Sequence, residues 1–152
     1  WANLGNTPFR QYKQSGLEGG SHTPFIVYWP GIVKPGTITH QTGHVVDIAP
    51  TFLDILGIEY PDSVNGFASL PLDGSSLLPI FKGEQRDEPE YFYSGLKAHC
   101  MFRQGKYKIA RMNNGPWELY NIVEDPSEIY NIAKEQPEIM ENMVQAYKEK
   151  YE

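Results

Sequence analysis

Hydrophobic and polar positions follow different patterns in the two halves of the chain, and the change falls near residue 85. In the first half, the longest apolar run extends from Phe25 to Trp29 and ends at Pro30 and Gly31. A continuous apolar run of this length is typical of a strand that is covered on both faces, as in a mixed sheet between helices. The pattern therefore predicts that this half belongs to an α/β structure.

Two further segments of the first half have helical spacing and helix end signals. Residues 48–56 place four apolar side chains on one face, with Asp47 as the predicted N-cap and Gly57 as the end signal. These apolar residues are Ile48, Phe52, Ile55 and Leu56. Residues 75–82 predict a second, shorter helix that Gly83 closes.

The second half predicts short strands followed by one long helix. The polar run at 84–89 marks the boundary, so we expect two parts, residues 1–85 and residues 86–152. Four predicted strands, joined by turns that contain Gly and Asn, indicate an antiparallel meander. These strands span residues 90–94, 98–103, 106–112 and 117–122. The final helix, residues 136–151, is predicted to pack on this sheet through an apolar face that consists of Ile139, Met143, Val144 and Tyr147.

Composition and charge exclude several classes of function. The chain has 152 residues, of which 40% are apolar and 21% charged, as is typical of a folded domain. Its net charge of −6 argues against nucleic acid as a partner, and the longest apolar run is too short to span a bilayer. Cys100 is the sole cysteine, so no internal disulfide is predicted, and its strand-like surroundings favour a buried structural thiol.

Lys13 is the strongest candidate for a functional residue. It lies five residues before the turn Glu18-Gly19-Gly20, which leads through Thr23-Pro24 into the apolar run. An isolated loop lysine is ordinarily solvated, but glycines allow close backbone approach, and a lysine ammonium suits an oxygen of a sulfate or phosphate. Glu18 is interpreted as a structural residue that accepts backbone N–H groups of the turn, in preference to a general base.

Several segments, in the same order along the chain, resemble motifs of the sulfatase family in the alkaline-phosphatase superfamily. They are the lysine segment at 6–24, the Asp-x-x-Pro-Thr helix at 44–54, the Gly-x-Ser-Leu turn at 73–79, the Arg-x-Gly-x-(Trp/Tyr)-Lys hairpin at 103–109, the last strand at 117–121 and the Asp-Pro-x-Glu turn at 124–128. Each similarity is weak by itself. Together they are quite specific and span nearly the whole chain.

This resemblance implies hydrolysis of sulfate esters by an α/β enzyme. Residues 1–85 would then be the end of an alkaline-phosphatase-like mixed sheet with helices, and residues 86–152 a small antiparallel sheet with a C-terminal helix. The family's lysine, carried onto Lys13, implies contact with the sulfate and stabilisation of charge that develops in the transition state. His22 and His99 are candidate substrate-binding residues, because the same loop and a C-terminal hairpin border the pocket in the family.

The chain departs from the family at the nucleophile and the metal. Sulfatases use a formylglycine, made from Cys or Ser, whose hydrate attacks sulfur beside a calcium ion. Cys100 is followed by Met101-Phe102-Arg103, which is not the modification motif, and no cluster of Asp, Asn and His has the spacing of a calcium site. We therefore expect no metal ligand in this chain. Calcium and formylglycine are expected in a full-length parent of which this chain is the C-terminal portion.

Two other functions stay open on the sequence alone. The parent could be a related phosphoester or phosphonate hydrolase, which uses a similar lysine, or the chain could be a non-catalytic interaction or scaffold domain. A Cys/Ser-x-Pro-x-Arg motif upstream of Trp1 would distinguish the sulfatase from both. The expected substrate is a sulfated small molecule or a sulfated glycan, and the resemblance implies a periplasmic, secreted or lysosomal location.

Overall fold

The structure is a computed structural model that describes residues 1–96 and 98–151. The helices are α1 (Ala2–Gly5), α2 (Glu18–Ser21), α3 (Ile48–Leu56), α4 (Leu78–Phe81) and α5 (Pro137–Tyr151), and a 3₁₀ turn at Val45–Asp47 precedes α3. The strands are β1 (Ser63–Val64), β2 (Phe67–Ala68), β3 (Phe92–Leu96), β4 (His99–Gln104), β5 (Tyr107–Arg111) and β6 (Trp117–Asn121). The chain divides into two compact units, residues 1–24 with 89–152 and residues 25–88.

The first unit is built on an antiparallel sheet in the order β3-β4-β5-β6. Its hairpins are regular: Phe102 pairs with Tyr93 on one side and with Ile109 on the other. Gly105 closes the β4–β5 turn with a φ of 54°, a left-handed conformation that glycine adopts without steric cost. The predicted meander is therefore confirmed, with strand ends shifted by one or two residues.

One face of the sheet packs against α5. Phe102, Ile109 and Leu119 are completely buried and form a core with Met143 and Tyr147 of the helix. Ile139 and Val144 pack around this core, so the predicted apolar face of the helix is confirmed. Cys100 belongs to the same core, as expected for a structural thiol.

The opposite face of the sheet packs against the segment that contains Lys13. Met101, Ala110 and Tyr120 are the neighbours in sequence of the residues that face α5, so they point to the other side. They form a second buried cluster with Leu17, which is 1% exposed. The sheet is thus covered on both sides, and this explains why β4 and β5 have no exposed face.

The second unit contains α3, whose N-cap residue is Asp47, as predicted, but the Asp47 side chain forms no capping hydrogen bond to the helix. Instead, His44 caps the preceding 3₁₀ turn, and the Asp47 carboxylate accepts the backbone N–H groups of His44 and Ser75 at 2.8 and 3.0 Å. Arg86 pairs with the same carboxylate at 2.9 Å. The physical reason is that the buried carboxylate is surrounded by donors of three segments, which together outweigh a single cap. Gly57 ends α3 in a left-handed conformation, as predicted.

The strand predicted at 25–29 is wrong. The segment pairs with no other strand in the described part of the chain, and Ile26 and Tyr28 are 89% and 90% exposed. A strand needs a neighbouring strand with which to form main-chain hydrogen bonds, and the residues that the structure describes supply none to this segment. The α/β class, with a small antiparallel sheet and a final helix, is nevertheless confirmed.

Among the described helices, none combines the length and the apolar composition that crossing a bilayer requires.

Candidate functional site

Lys13 lies on a loop, residues 10–22, which we call the lysine loop. Its side chain is exposed and forms neither a hydrogen bond nor an ion pair with any residue that the structure describes. The loop conformation around it is unusual, because Gln11 and Gln14 have φ angles of 65° and 74°. Residues other than glycine adopt such left-handed angles at an energetic cost, so the surrounding contacts must enforce this conformation.

Two glycines allow the lysine loop to pack closely. A Cβ atom on Gly19 would overlap the carbonyl oxygens of Arg10 and Gln11, against which this glycine lies. A Cβ atom on Gly16 would lie 2.6 Å from the carbonyl oxygen of Cys100 on β4. The first glycine folds the loop onto itself, and the second brings it into contact with the sheet.

Glu18 forms three contacts, one with the sheet, one within the lysine loop and one with the turn that contains Glu128. Its Oε1 atom lies 2.6 Å from Nζ of Lys108 on β5, and its Oε2 atom lies 2.8 Å from Nδ1 of His22. Its backbone N–H donates to Oε2 of Glu128 at 2.6 Å. The expected structural role of Glu18 is therefore correct, but its partners are an ammonium and an imidazole and not the N–H groups of the turn.

Lys108 and Glu128 are both completely buried. Nζ of Lys108 lies 2.9 Å from Oε1 of Glu128 and donates to Oγ of Ser21 at 3.3 Å. One ammonium is thus shared between two carboxylates inside the protein. We call Lys108, Glu18 and Glu128 the buried charge cluster.

The two carboxylates of this cluster respond differently to their surroundings. Burial raises the pKa of Glu18, but the Lys108 charge and hydrogen bond, with His22, outweigh it, so the pKa lies below its ordinary value. For Glu128, burial raises the pKa above its ordinary value, and the attraction of Lys108 offsets this only in part. The ionised form is therefore favoured at Glu18, the carboxylate on the lysine loop.

Arg10 fixes the start of the lysine loop. Its guanidinium donates to the backbone carbonyl of Glu128 and, at 3.0 Å, to the hydroxyl of Tyr120 on β6. That hydroxyl donates in turn to Glu118 at 2.6 Å, and burial raises the pKa of Tyr120. The loop is therefore tied to both β5 and β6.

The two histidines predicted to bind substrate lie in different places. His22 has a side chain that is 54% exposed, pairs with Glu18 and stacks on Phe9 at 4.7 Å between ring centroids. His99 begins β4, and its Nδ1 accepts the backbone N–H of Asn113 at 3.4 Å. This contact leaves Nε2 as the N–H donor of a neutral ring.

A pocket of about 110 Å³ brings His99 together with the lysine loop. It is lined by Gln14, Ser15, Gly16, Gly20, Ser94, Leu96 and His99. Two of these residues directly follow Lys13 in sequence. His22 does not line this pocket.

The residues of ranges 1–96 and 98–151 include no group of three or more His, Cys, Asp or Glu side chains able to hold a metal ion. They therefore do not fit the calcium ion that the resemblance implies.

Sequence reasoning missed the buried charge cluster. Lys108 belongs to the hairpin motif at 103–109 and Glu128 to the turn at 124–128, and neither motif indicates a buried charge. The sequence does contain a signal for a buried charge, because Lys108 lies between Tyr107 and Ile109 within a predicted strand. The pairing itself was not visible, because 90 residues separate Lys108 from Glu18.

Comparison with known proteins identifies the family. Residues 12–152 match the family described as "N-sulphoglucosamine sulphohydrolase, C-terminal". The N-acetylgalactosamine-6-sulfatase of Mus musculus is 36% identical over 91 residues, which are 59% of this chain and 16% of that protein. The ulvan-active sulfatase of Formosa agariphila is 29% identical over 126 residues, which are 72% of this chain and 24% of that protein.

A solved structure agrees with these matches. The crystal structure of Ps i-CgsB superposes with a TM-score of 0.71 at 29% identity and covers 95% of this chain and 32% of that one. The same protein has been crystallised in complex with k-i-k-neocarrahexaose. The chain thus spans between 16% and 32% of the length of these three proteins. It belongs to the family of N-sulphoglucosamine sulphohydrolase C-terminal domains, which are parts of sulfatases.

Proposed function

We propose that the whole protein hydrolyses sulfate esters and that this chain supplies Lys13 as the residue that contacts the sulfate. The observation that carries the proposal is the state of Lys13 itself: an exposed ammonium on a loop that is held in a costly conformation. In the transition state of sulfuryl transfer, negative charge spreads over oxygens that such an ammonium can reach. A cation carried by a backbone that is already held in place needs less reorganisation when this charge develops, so it stabilises the transition state more than one on a mobile loop.

The substrate class is proposed to be a sulfated glycan. The relatives named above are an N-acetylgalactosamine-6-sulfatase and an ulvan-active sulfatase, and Ps i-CgsB has been crystallised with a neocarrahexaose. The pocket beside the lysine loop has polar groups suited to a sugar, including the Nε2 donor of His99 and the side chain of Ser94. We propose that His99 contacts the sugar there and that His22, which pairs with Glu18 and does not line this pocket, contacts a more distant part of the substrate.

The nucleophile and the metal are proposed to come from outside the described residues. In the family, formylglycine supplies the nucleophile and calcium stabilises charge on the sulfate. This chain contributes binding and orientation through the lysine loop. The location is proposed to be periplasmic, secreted or lysosomal, as the family resemblance implies.

The test is substitution of Lys13 in the full-length enzyme. We expect Lys13→Ala to lower kcat/KM for an aryl sulfate by roughly two to four orders of magnitude, as loss of a charged transition-state donor does. Lys134→Ala is the matched control, because Lys134 is also an exposed loop lysine of the same unit. Thermal stability should be unchanged in both variants.

Three outcomes would overturn parts of the proposal. An unchanged kcat/KM in Lys13→Ala would remove Lys13 from the active site. Faster turnover of an aryl phosphate or phosphonate than of the aryl sulfate would replace sulfate by phosphorus esters as the substrate. A His99→Ala or His22→Ala variant with wild-type KM on a sulfated oligosaccharide would remove that histidine from the substrate site.

A further inference from the structure

We propose that Lys108 is a positioning residue for Lys13. In this inference, the buried charge cluster fixes the conformation of the lysine loop from the sheet below it, and thereby the place that the Lys13 ammonium occupies. The inference rests on the proposed function and concerns a residue that makes no contact with the substrate.

The first observation is the free-energy cost of burying three charged groups in the cluster. Lys108 and Glu128 are 0% exposed, and Glu18 is largely shielded, so three charges have left water. Desolvation of an ion pair commonly cancels its Coulomb attraction, and apolar side chains of similar volume often give equal or greater stability. A buried ammonium at this position is therefore not explained by stability. It is explained by the contacts that it makes with specific carboxylates, which an apolar side chain could not make.

The second observation is strain in a member of the cluster. Glu128 has a φ of 54°, a left-handed conformation that costs free energy for a residue with a side chain. In this conformation its Oε1 faces Lys108 and its Oε2 accepts the backbone N–H of Glu18. Its backbone carbonyl also accepts the Arg10 guanidinium. The turn thus holds the lysine loop at two points, eight residues apart.

The third observation is a short path from Glu18 to Lys13. Glu18 begins the single helical turn α2, and the next residue, Gly19, donates its N–H to the carbonyl of Arg10 at 3.0 Å. Asn6 bridges the same region, because its amide donates to the carbonyls of Gln11 and Gly19 at 3.2 and 3.0 Å. Lys13 lies just beyond this contact. A shift of Glu18 would therefore be passed to the backbone that precedes Lys13.

The effect of Lys108 on activity should come almost entirely through Lys13. Misplacement of a catalytic group by about 1 Å can lower a rate by roughly 100-fold. We therefore expect Lys108→Met in the full-length enzyme to lower kcat for an aryl sulfate by roughly tenfold to 100-fold. The matched control is Lys106→Met, since Lys106 is an exposed lysine on the same hairpin.

The decisive experiment is a double-mutant cycle between Lys108→Met and Lys13→Ala. If Lys108 acts by placing Lys13, its substitution should have little further effect in the Lys13→Ala background, so the two losses should not add. If Lys108 only holds the fold together, the losses should add, and this result would overturn the inference. Near-ultraviolet circular dichroism checks that each variant is folded.

A second substitution keeps the test valid should Lys108→Met not fold. Glu18→Gln preserves the shape of the side chain and leaves Lys108 paired with Glu128. It should lower kcat and show the same lack of additivity with Lys13→Ala. Wild-type kcat in Glu18→Gln would contradict the inference. Failure of the proposed function gives a different result, because Lys13→Ala itself would then leave kcat/KM unchanged.

Discussion

Glu18 is a single residue on which the lysine loop depends in three ways, through both carboxylate oxygens and its backbone N–H. Its carboxylate faces Lys108, His22 and, across the ammonium, Glu128. Since the pKa of Glu18 lies below its ordinary value, the ionised carboxylate is bound more favourably in the folded state than in the unfolded chain.

The sign of the resulting pH dependence follows from this direction. The stabilisation by Glu18 should be fully present above pH 4.5, the ordinary pKa of glutamate, and should be lost as the pH falls through the lower pKa of the folded state. As the pH falls, Glu128, whose pKa is raised, is protonated before Glu18, and Lys108 then remains paired with the ionised Glu18 alone.

Urea unfolding of wild type and Glu18→Gln at a series of pH values measures this effect. The difference in free energy of unfolding between the two proteins should be constant near neutral pH and should shrink below pH 4.5. A difference that grows as the pH falls would show that Glu18 is not stabilised as a carboxylate.

At the residue scale, the sequence predicts features whose defining residues are neighbours in the chain. The turn at Gly19 is such a feature, whereas the role of Lys13 stays a prediction. The structural role of Glu18 was predicted too, but its partners Lys108 and Glu128 lie 90 and 110 residues away. Charge pairing over such distances leaves no periodicity in a sequence.

At the scale of elements, α5 covers one face of the four-stranded sheet, and substitutions in the helix measure how much this packing contributes to stability. Met143 is 4% exposed and packs on the face formed by Phe102, Ile109 and Leu119. Met143→Ala should lower the free energy of unfolding by about 2–5 kcal/mol, because it leaves a cavity that the rigid sheet cannot close.

The control for Met143→Ala is its neighbour Asn142→Ala, on the exposed side of the same helix turn. Denaturant unfolding followed by near-ultraviolet circular dichroism would measure both. A loss below 1 kcal/mol in Met143→Ala would mean that α5 is not part of the core.

Deletion of residues 136–152 should have a larger effect, and should abolish the near-ultraviolet signal of the aromatic residues on that face of the sheet.

The elements that were predicted well are those with all their partners nearby. The β4–β5 and β5–β6 hairpins follow from turns at Gly105 and Asn113-Asn114, and α5 follows from its helical spacing. The strand predicted at 25–29 is absent because its partners are not nearby: an apolar run indicates burial but does not specify the neighbouring strand with which it would pair. Asp47 is the N-cap residue of α3, as predicted, but its carboxylate binds other segments, because a carboxylate near a helix start can accept from several donors at once.

At the scale of the whole molecule, this chain should bind and orient but not turn over substrate. It has no formylglycine precursor motif, and its described residues provide no metal site. Nucleophile and metal supply most of the rate in such reactions. The purified 152-residue chain, assayed on an aryl sulfate with calcium present, should therefore show no turnover. Calcium-dependent turnover that Lys13→Ala abolishes would contradict this.

The buried charge cluster also sets an order of events during protein synthesis. Glu18 leaves the ribosome first, Lys108 follows 90 residues later, and Glu128 follows after 110. At ordinary elongation rates this is a delay of roughly 5–20 s. Throughout that interval the loop around Lys13 lacks its anchor, and it can acquire its working shape only after translation has passed residue 128. A nascent chain that stalls earlier would display the lysine but could not yet hold it in place.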